Sequence, residues 1–388
     1  MTAALELIGG LVGLVVSGTA IVRGASTIGR RLGLSPLVIG LTIVAAGTSA
    51  PELAVVWQAA NKGDSGIAMG SVVGSNIANI LLVLGIVAVI NAIDVTRQAI
   101  TLDAPVMIGA SVLVLVLGLD DAIGRVDGIV LVACLVAYIT TTIVVSRRAT
   151  VARAITDVTA TDAVTEAMTN TGPEATTDTA RSSVQVGATR AVQETFDQIT
   201  STFVGAVALF AVGAVGVAVS ARFVVSGAGS LAISWGMSEV VVGLTVVAIG
   251  TSAPEIATSV IAATRGESDV ALGNAIGSNV FNLLFVLGLV SATTVDLPVA
   301  ESIRQLDLPI MLAVAVLALP YAVTRLSIDR SEGAMFLVIY VAYTVYLVLD
   351  GTENDASSTY GVVAIAILAP LSLAVFVASA IRRRAPAG

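Results

Sequence analysis

A six-residue stretch, Gly-Thr-Ser-Ala-Pro-Glu, occurs twice in the sequence, and each copy lies near the middle of a long apolar segment. The copies occupy residues 47–52 and 250–255, so that 203 positions separate them. A carboxylate at the centre of a membrane-spanning helix costs on the order of 3 kcal/mol, and such residues are therefore rare and generally functional. The repetition indicates two related membrane segments, each with a functional glutamate.

The composition around these segments is that of a protein that crosses the membrane many times. Hydrophobic residues make up 56% of the 388 residues and charged residues only 12%, whereas a soluble domain has about 25% charged residues. A helix needs about 20 apolar residues to span the bilayer. We find eleven such segments, at 4–22, 36–60, 66–90, 101–119, 126–146, 201–224, 238–263, 269–293, 305–323, 333–350 and 359–381. The predicted fold class is an all-α polytopic membrane protein.

The two glutamate motifs belong to a longer internal repeat. Residues 40–54 match residues 243–257, and residues 74–85 match residues 277–288, at the same offset of 203. Five predicted helices are thus repeated as five helices, and because five is odd the second set enters the membrane inverted. Inverted repeats of this kind place a binding site at their interface near the midplane, and rocking of one repeat against the other opens it alternately to each side.

Four regions follow from this organisation. The first five-helix repeat covers 1–146 and the second, inverted one covers 201–350, which gives ten core helices. Residues 351–388 add an eleventh helix and a basic tail. Residues 147–200 are rich in Thr, Ala, Asp and Glu and are predicted to form a mobile cytoplasmic linker of low complexity. We expect the flanking helices to extend into it as far as about 156 and from about 188.

The basic residues predict the orientation. With the N-terminus outside, fifteen arginines fall on the cytoplasmic side and four basic residues fall outside, so the C-terminus is expected in the cytoplasm of a cell-membrane protein. Lys62 is the only lysine, and the formal net charge is −8. This acidic, lysine-poor composition is typical of a halophilic prokaryote.

Several kinds of chemistry are excluded by missing residue types. The sequence contains no histidine and one cysteine, Cys134. Without histidine or a second thiol, the usual zinc ligands, an intrachain disulfide and Ser-His catalysis are all excluded. We therefore expect a transporter without a cofactor, and neither an enzyme nor a nucleic-acid-binding protein.

The residue types around each glutamate predict a site for a hard cation. Pro51 and Pro254 cannot donate a backbone hydrogen bond, so each helix should bend and leave main-chain carbonyls unpaired. Thr48 and Glu52 are four residues apart and share one helix face, with Ser49 beside them. The neighbouring helix adds Ser75 and Asn79. The second repeat contains the equivalent residues Thr251, Ser252, Glu255, Ser278 and Asn282.

All of these candidate ligands are oxygens, which favours Na⁺ or Ca²⁺ over zinc or copper. Two carboxylates balance one Ca²⁺, or most of the charge of a group of Na⁺ ions, so competition between the two ions is expected. Protons should also compete for two neighbouring carboxylates in a medium of low dielectric constant.

Other polar residues in the segments have structural interpretations. We expect Gly74, Gly277 and Ser71 to serve helix packing. For Asn76 and Asn279, interhelical hydrogen bonds and ion ligation remain equally open. Asp103 and Asp307 each precede a proline by two residues and are predicted to cap the start of a helix.

Gly-Thr-Ser-Ala-Pro-Glu followed by Gly-Ser-Asn-x-x-Asn, present in both five-helix halves, resembles the two alpha repeats of the sodium/calcium exchanger family, within the cation/calcium antiporter superfamily, of the prokaryotic type. The resemblance covers roughly 5–146 and 201–350. It implies electrogenic exchange of about three Na⁺ for one Ca²⁺, with the first and sixth helices sliding past a fixed core.

The resemblance also implies a role for each candidate ligand. Glu52 and Glu255 would bind both ions, and Asn79 and Asn282 would line the central position. Thr48 and Thr251 would bind Ca²⁺ with their main-chain carbonyls. The residues implied for Na⁺ are Ser49, Ser75, Ser252 and Ser278, with the carbonyls of Ala45 and Ala248. Asn282 replaces an aspartate found in potassium-dependent members, which argues against potassium dependence.

Two alternatives stay open. A proton/calcium antiporter of the same superfamily would use the glutamates without the hydroxyls, and a cation channel would not need an occluded site between inverted repeats. The expected partners are Ca²⁺, Na⁺ and the lipid bilayer, and we expect the monomer to be the functional unit.

Overall fold

A computed structural model describes residues 2–168, 199–235, 250, 252–294, 296–323, 326–351, 361 and 372. Within these ranges the protein is helical apart from short connections and four strands of two residues each. The elements of the first half are α1 (Thr2–Arg31), α2 (Pro36–Thr48), α3 (Ala50–Lys62), α4 (Ser65–Ile90), β1 (Ile93–Asp94), α5 (Ala99–Asp120), β2 (Ala122–Ile123) and α6 (Arg125–Met168). Those of the second half are α7 (Phe203–Ser234), α8 (Ala253–Thr264), α9 (Ser268–Thr293), β3 (Leu297–Pro298), α10 (Ile303–Asp307 continuing through Leu308–Val323), β4 (Ser327–Ile328) and α11 (Arg330–Gly351).

Seven of the described helices are long and apolar enough to cross a membrane, and the bent pair α2–α3 makes an eighth. Each of the eight coincides with one predicted segment. The structure of α8 covers the second half of the segment predicted at 238–263, and α10 covers the one predicted at 305–323. The eleventh segment, 359–381, lies outside the described residues except at two positions. Helix α6 continues to Met168, further into the predicted linker than 156.

The two short strand pairs connect the two halves and show how the repeats are related. β1 of the first half pairs antiparallel with β4 of the second, and β2 pairs antiparallel with β3. In the repeat register β1 corresponds to β3 and β2 corresponds to β4. Exchange of the two halves therefore turns one pair into the other, which is the relation that two inverted five-helix repeats require. The predicted fold class is confirmed.

The spanning helices contain turns of π-helix at matching places in the two repeats. One occupies Asn79–Val83 in α4, and its counterpart occupies Phe281–Leu287 in α9. A second pair lies at the start of α5 and α10, over Ala99–Asp103 and Ile303–Asp307. Turns of this kind occur preferentially at functional sites, and the first pair contains the predicted ligands Asn79 and Asn282.

The core is centred on α4 and α9, which carry those two asparagines. In the most apolar stretch of each helix, 72% of the residues are buried in α4 and 83% in α9. The corresponding fractions are 33% in α1 and 28% in α7. Close approach at α9 depends on glycine, because a Cβ at Gly277 would lie 2.6 Å from the Leu41 carbonyl oxygen. The expected packing role of Gly277 is thus confirmed.

Helices α1 and α7 pack antiparallel against each other through small residues. Gly13 of α1 faces Ser220 of α7, while Gly216 of α7 faces Ser17 of α1. The residues of these two contacts are exchanged by the repeat offset of 203, so the pair obeys the same inverted symmetry as the strands. The opposite sides of both helices carry exposed apolar residues, which suit contact with lipid.

Candidate cation-binding site

The first glutamate motif forms a break between two helices. Helices α2 and α3 meet at an angle of 43°, and Ser49 between them has φ −80° and ψ 0°. Pro51 explains the break, because it lacks the N–H that would continue the helical hydrogen bonds. Ser252 has nearly the same conformation, φ −89° and ψ 3°, immediately before α8. The predicted bend is confirmed in the first repeat, and the second repeat starts α8 in the same way.

The two glutamates lie just beyond these breaks. Glu52 is the third residue of α3 and Glu255 the third of α8, so both carboxylates lie at the partially positive N-terminal end of a helix. Glu52 is 2% exposed and Glu255 is fully buried. The two motifs approach each other although 203 residues separate them in the chain. Thr48, four residues before Glu52, is hydrogen-bonded to Asn274, which is hydrogen-bonded in turn to Thr258, three residues after Glu255. The structure thus brings the two motifs together at one point.

Neither carboxylate has a hydrogen-bond partner in the described part of the protein, and the same holds for the polar atoms of five neutral side chains. Such buried and unpartnered atoms are rare in folded proteins and call for a ligand or ordered water. The side chains are Ser49, Ser75, Asn79, Ser252 and Asn282, all at most 4% exposed. Seven of the predicted ligands therefore present unsatisfied groups at buried positions.

Three predicted ligands are engaged in hydrogen bonds. The Thr48 hydroxyl lies 3.3 Å from the Ser278 hydroxyl, which joins the first repeat directly to the second. The Ala45 carbonyl accepts the Ser49 N–H at 2.9 Å and retains a second lone pair. The two remaining predictions, Thr251 and Ala248, lie outside the described residues.

The donor set defines what the site can bind. The described residues contain no group of three or more His, Cys, Asp or Glu side chains that could hold a metal ion, so the formal charge here comes from two carboxylates. Carboxylate, hydroxyl, amide and main-chain carbonyl oxygens are hard ligands, which suit Ca²⁺ and Na⁺ in flexible coordination. The residues present therefore fit these ions as cargo.

Sequence reasoning missed a polar cluster beside the site. Asn274 on α9 and Thr258 and Ser259 on α8 are all at most 1% exposed, and the Asn274 amide donates a hydrogen bond to each of the two hydroxyls. Asn274 also contacts Thr48. One signal was available, since Asn274 precedes Ser278 by four residues and so shares its helix face.

The structure also bears on two predictions for residues outside the ligand set, the hydrogen bonding of Asn76 and Asn279 and the capping by Asp103. The Asn279 amide donates to the Asn76 carbonyl at 3.2 Å, which is an interhelical hydrogen bond, whereas the Asn76 amide donates to Val72 in its own helix. The capping prediction for Asp103 is wrong, because the helix begins at Ala99 and the aspartate makes no capping bond.

Asp103 is instead fully buried and accepts a hydrogen bond from the Tyr138 hydroxyl at 3.0 Å. Asp307 has the equivalent partner, the Tyr343 hydroxyl, at 3.1 Å, and its helix also begins earlier, at Ile303. Each aspartate thus connects the fourth spanning helix of its repeat to the fifth.

Comparison with known proteins places this chain in a family. The family described as sodium/calcium exchanger protein matches residues 2–144 and 205–349. The sodium/calcium exchanger MaX1 of Methanosarcina acetivorans is 33% identical over 366 residues, which cover 88% of this chain and 97% of that protein. The inner membrane protein YrbG of Escherichia coli is 32% identical over 314 residues, or 80% of this chain and 86% of that protein.

A solved structure has the same fold. The sodium-calcium exchanger NCX_Mj, soaked with Na⁺ and Ca²⁺, superimposes with a TM-score of 0.67 at 27% identity, and the match covers 89% of this chain and 98% of that one. The family match spans both repeats, and the two identities above extend over most of each protein. The chain therefore belongs to the sodium/calcium exchanger family, and it is a cation/Ca²⁺ antiporter of the membrane.

Proposed function

We propose that this protein exchanges Na⁺ for Ca²⁺ by alternating access to one site that both repeats build. The observation that carries the proposal is the set of seven buried side chains whose polar atoms lack partners around the helix breaks. Five of them are neutral, and they supply oxygens beyond the two carboxylates for Ca²⁺ and for Na⁺ alike. Na⁺ needs such oxygens, because it must replace its hydration shell with several neutral ligands.

Charge balance explains why the two ions would exclude each other. Glu52 and Glu255 together carry two negative charges at a fully buried location. They balance one Ca²⁺, or most of the charge of a group of Na⁺ ions. Ca²⁺ and Na⁺ bound together would leave a large uncompensated charge in a medium of low dielectric constant. Because Ca²⁺ and Na⁺ exclude each other at one site, alternating access to that site produces antiport.

We assign the ligands as follows. Glu52 and Glu255 bind either ion, Thr48 and Thr251 bind Ca²⁺, and Asn79 and Asn282 line the centre. The Na⁺ ligands are Ser49, Ser75, Ser252, Ser278 and the carbonyls of Ala45 and Ala248. Three observations support this set of ligands. Its described members are buried, seven of them have polar atoms without a hydrogen-bond partner in the described residues, and Thr48 contacts Ser278 across the two repeats.

The α1–α7 pair is our candidate for the moving part. The two helices pack on each other through small side chains, and they are much less buried than α4 and α9. The pair can therefore move past the core with fewer contacts to break than any movement of α4 or α9 would require. We place the N-terminus outside and the C-terminus in the cytoplasm, as the distribution of arginines predicts.

Ca²⁺ uptake into proteoliposomes tests the proposal. Vesicles loaded with Na⁺ and diluted into Na⁺-free buffer with Ca²⁺ should accumulate Ca²⁺, and vesicles loaded with K⁺ should not. Glu52→Gln keeps the size of the side chain and removes one of the two charges, so uptake should be lost. Uptake that continues in the K⁺-loaded vesicles would refute Na⁺ coupling.

The two unpartnered carboxylates also favour one alternative, a proton/calcium antiporter. An imposed pH gradient in the absence of Na⁺ separates the two proposals. Ca²⁺ uptake that follows this gradient and ignores Na⁺ would establish proton coupling, and the Na⁺ assignments of the four serines would then be wrong.

A further inference from the structure

Asn76 on α4 and Asn279 on α9 are equivalent residues of the two repeats, and they contact each other. The repeat offset of 203 separates them, and the Asn279 amide nitrogen donates to the Asn76 main-chain carbonyl oxygen at 3.2 Å. A residue that contacts its own symmetry equivalent lies beside the symmetry axis. The pseudo-two-fold axis that relates the repeats therefore passes between these two asparagines, in the core formed by α4 and α9.

The two asparagines nevertheless make different hydrogen bonds. The equivalent of the observed bond would join the Asn76 amide nitrogen to the Asn279 carbonyl, but the Asn76 nitrogen donates to the Val72 carbonyl oxygen of its own helix at 2.7 Å. The Asn279 nitrogen also lies 3.5 Å from the Met107 sulfur on α5. Because a carbonyl can only accept, both amide nitrogens must face these carbonyls, and both amide oxygens are left buried without a partner in the described residues.

The helices that carry the pair differ in the same region. The π-helical turn that follows Asn279 covers the seven residues Phe281–Leu287, whereas the one that follows Asn76 covers the five residues Asn79–Val83. Two more residues are thus wound as π-helix in α9 than in α4. The backbone beside the axis is therefore asymmetric together with the side chains of the pair.

The two repeats also differ in how their outer helices cover them. A Cβ added at Gly18 of α1 would lie 2.7 Å from the Ile261 side chain of α8, which is half-buried. The equivalent residue on α3, Gln58, is exposed, so α7 does not cover it as α1 covers Ile261. Inverted repeats open to the opposite side of the membrane by exchanging such conformations. In the opposite conformation α7 should therefore cover Gln58 through Ala221, the equivalent of Gly18.

We propose that Asn76 and Asn279 form a switch, in which the two side chains exchange their hydrogen bonds when the transporter changes the side to which it is open. In the opposite conformation the Asn76 amide donates to the Asn279 carbonyl, and the Asn279 amide donates to the carbonyl of Ala275. The sulfur neighbour is available as well, since Met311 is the equivalent of Met107 and is 2% exposed. The inference rests on the alternating access of the proposed function, and it does not depend on which ion the site binds.

Two engineered disulfides report the two conformations. Both are built in a protein without the native thiol, Cys134→Ala. Gly18→Cys combined with Ile261→Cys should cross-link α1 to α8 in the conformation of this structure. Gln58→Cys combined with Ala221→Cys should cross-link α3 to α7 in the opposite conformation. The ratio of the two initial oxidation rates, measured on the full-length protein in membranes, follows the ratio of the two populations.

Alanine at the two asparagines should change this ratio in opposite directions. Asn279→Ala removes the bond between α4 and α9 from the conformation of this structure, so the ratio of α1–α8 to α3–α7 cross-linking should fall about threefold. Asn76→Ala keeps that bond, because its acceptor is a main-chain oxygen, and removes the equivalent bond of the opposite conformation, so the ratio should rise about threefold. The bond that each asparagine makes within its own helix counts for less, because its carbonyl already accepts a helical N–H.

The two substitutions are matched controls for each other, since they make the same change at equivalent positions. A ratio that moves in the same direction in both variants, or in neither, would overturn the inference. Asn76→Leu and Asn279→Leu, which nearly keep the size of the side chain, replace the alanine variants if thermal unfolding shows that those do not fold. Absence of either disulfide from the protein with both asparagines would instead overturn alternating access by movement of α1 and α7, and this inference with it.

Discussion

Two neighbouring glycines in α1 test whether its packing on α7 stabilises the protein. A Cβ added at Gly10 would lie 2.8 Å from the Val224 nitrogen and 2.9 Å from the Ser220 carbonyl oxygen. A Cβ added at Gly9 would meet no atom within 4 Å. Gly10→Ala and Gly9→Ala therefore make the same chemical change on one helix, and only the first of them affects the contact with α7.

The expected difference follows from these distances. Ordinary van der Waals contact begins at 3.4 Å, so α1 and α7 must separate by about half an ångström at Gly10, because backbone atoms cannot rotate away. Overpacking of this kind costs about 1–3 kcal/mol. The gain from replacing glycine by alanine within a helix, about 0.5–1 kcal/mol, is common to both variants and cancels between them.

Thermal unfolding of the two variants in the same detergent measures this difference. A difference of 1–3 kcal/mol corresponds to a few degrees in Tm, with Gly10→Ala below Gly9→Ala. Gly213→Ala should behave like Gly10→Ala, since its Cβ would lie 2.8 Å from the Ile21 nitrogen and 2.9 Å from the Ser17 carbonyl oxygen. Identical unfolding curves for the Gly9 and Gly10 variants would show that the helices do not pack as described.

Three further predictions concern the polar groups. Lowering the pH from about 8 to about 5 should weaken equilibrium Ca²⁺ binding, because protons compete for the two buried glutamates, and equal affinity at both ends of that range would contradict this. Tyr138→Phe removes the closest hydrogen bond to the fully buried Asp103 and should destabilise the protein by about 1–3 kcal/mol in thermal unfolding. Tyr343→Phe should destabilise it less, because Asp307, the partner of Tyr343, is only half-buried. A larger loss of stability in Tyr343→Phe than in Tyr138→Phe would contradict this reasoning. Ser26→Ala removes a 2.9 Å hydrogen bond to Glu267. The ratio of the Ca²⁺ affinities measured from the two sides of the membrane should then change by up to about tenfold. An unchanged ratio would show that the bond is the same in both conformations.

The parts of the fold that the sequence predicted depend on local signals. An apolar segment of about 20 residues predicts a spanning helix wherever it lies, and a proline within it predicts a break, as Ser49 and Pro51 show. The repeat offset then predicted that Glu52 and Glu255 meet. The inverted arrangement itself follows from the odd number of helices and needs no knowledge of packing.

The parts that were missed depend on contacts between distant segments. Asp103 before a proline resembles a capping residue, and nothing near it in the chain indicates that Tyr138, 35 residues later, will donate to it. The π-helical turns depend on how α4 and α9 pack, which the apolar composition of those helices does not specify. Asn274 was visible on the face of Ser278, but its significance lies in a hydrogen bond to a residue 226 positions away.

Differences between the repeats decide how the two conformations of such a transporter are populated. If the repeats were identical, a two-fold rotation about an axis in the membrane plane would convert the state open to one side into the state open to the other, and the two would have equal free energy. Any preference must then come from residues that differ. The Ser26–Glu267 hydrogen bond is one such difference, because the equivalent positions hold Gly229, which has no hydroxyl, and Asp64. A bond of this kind contributes about 1 kcal/mol to the conformation in which α1 contacts the α8–α9 turn, which is roughly a fivefold shift in population. Asn274 is a second difference, and it lies at the ion site itself. The Ser26–Glu267 bond would set the resting conformation, so Ser26→Ala should shift the balance between the two conformations.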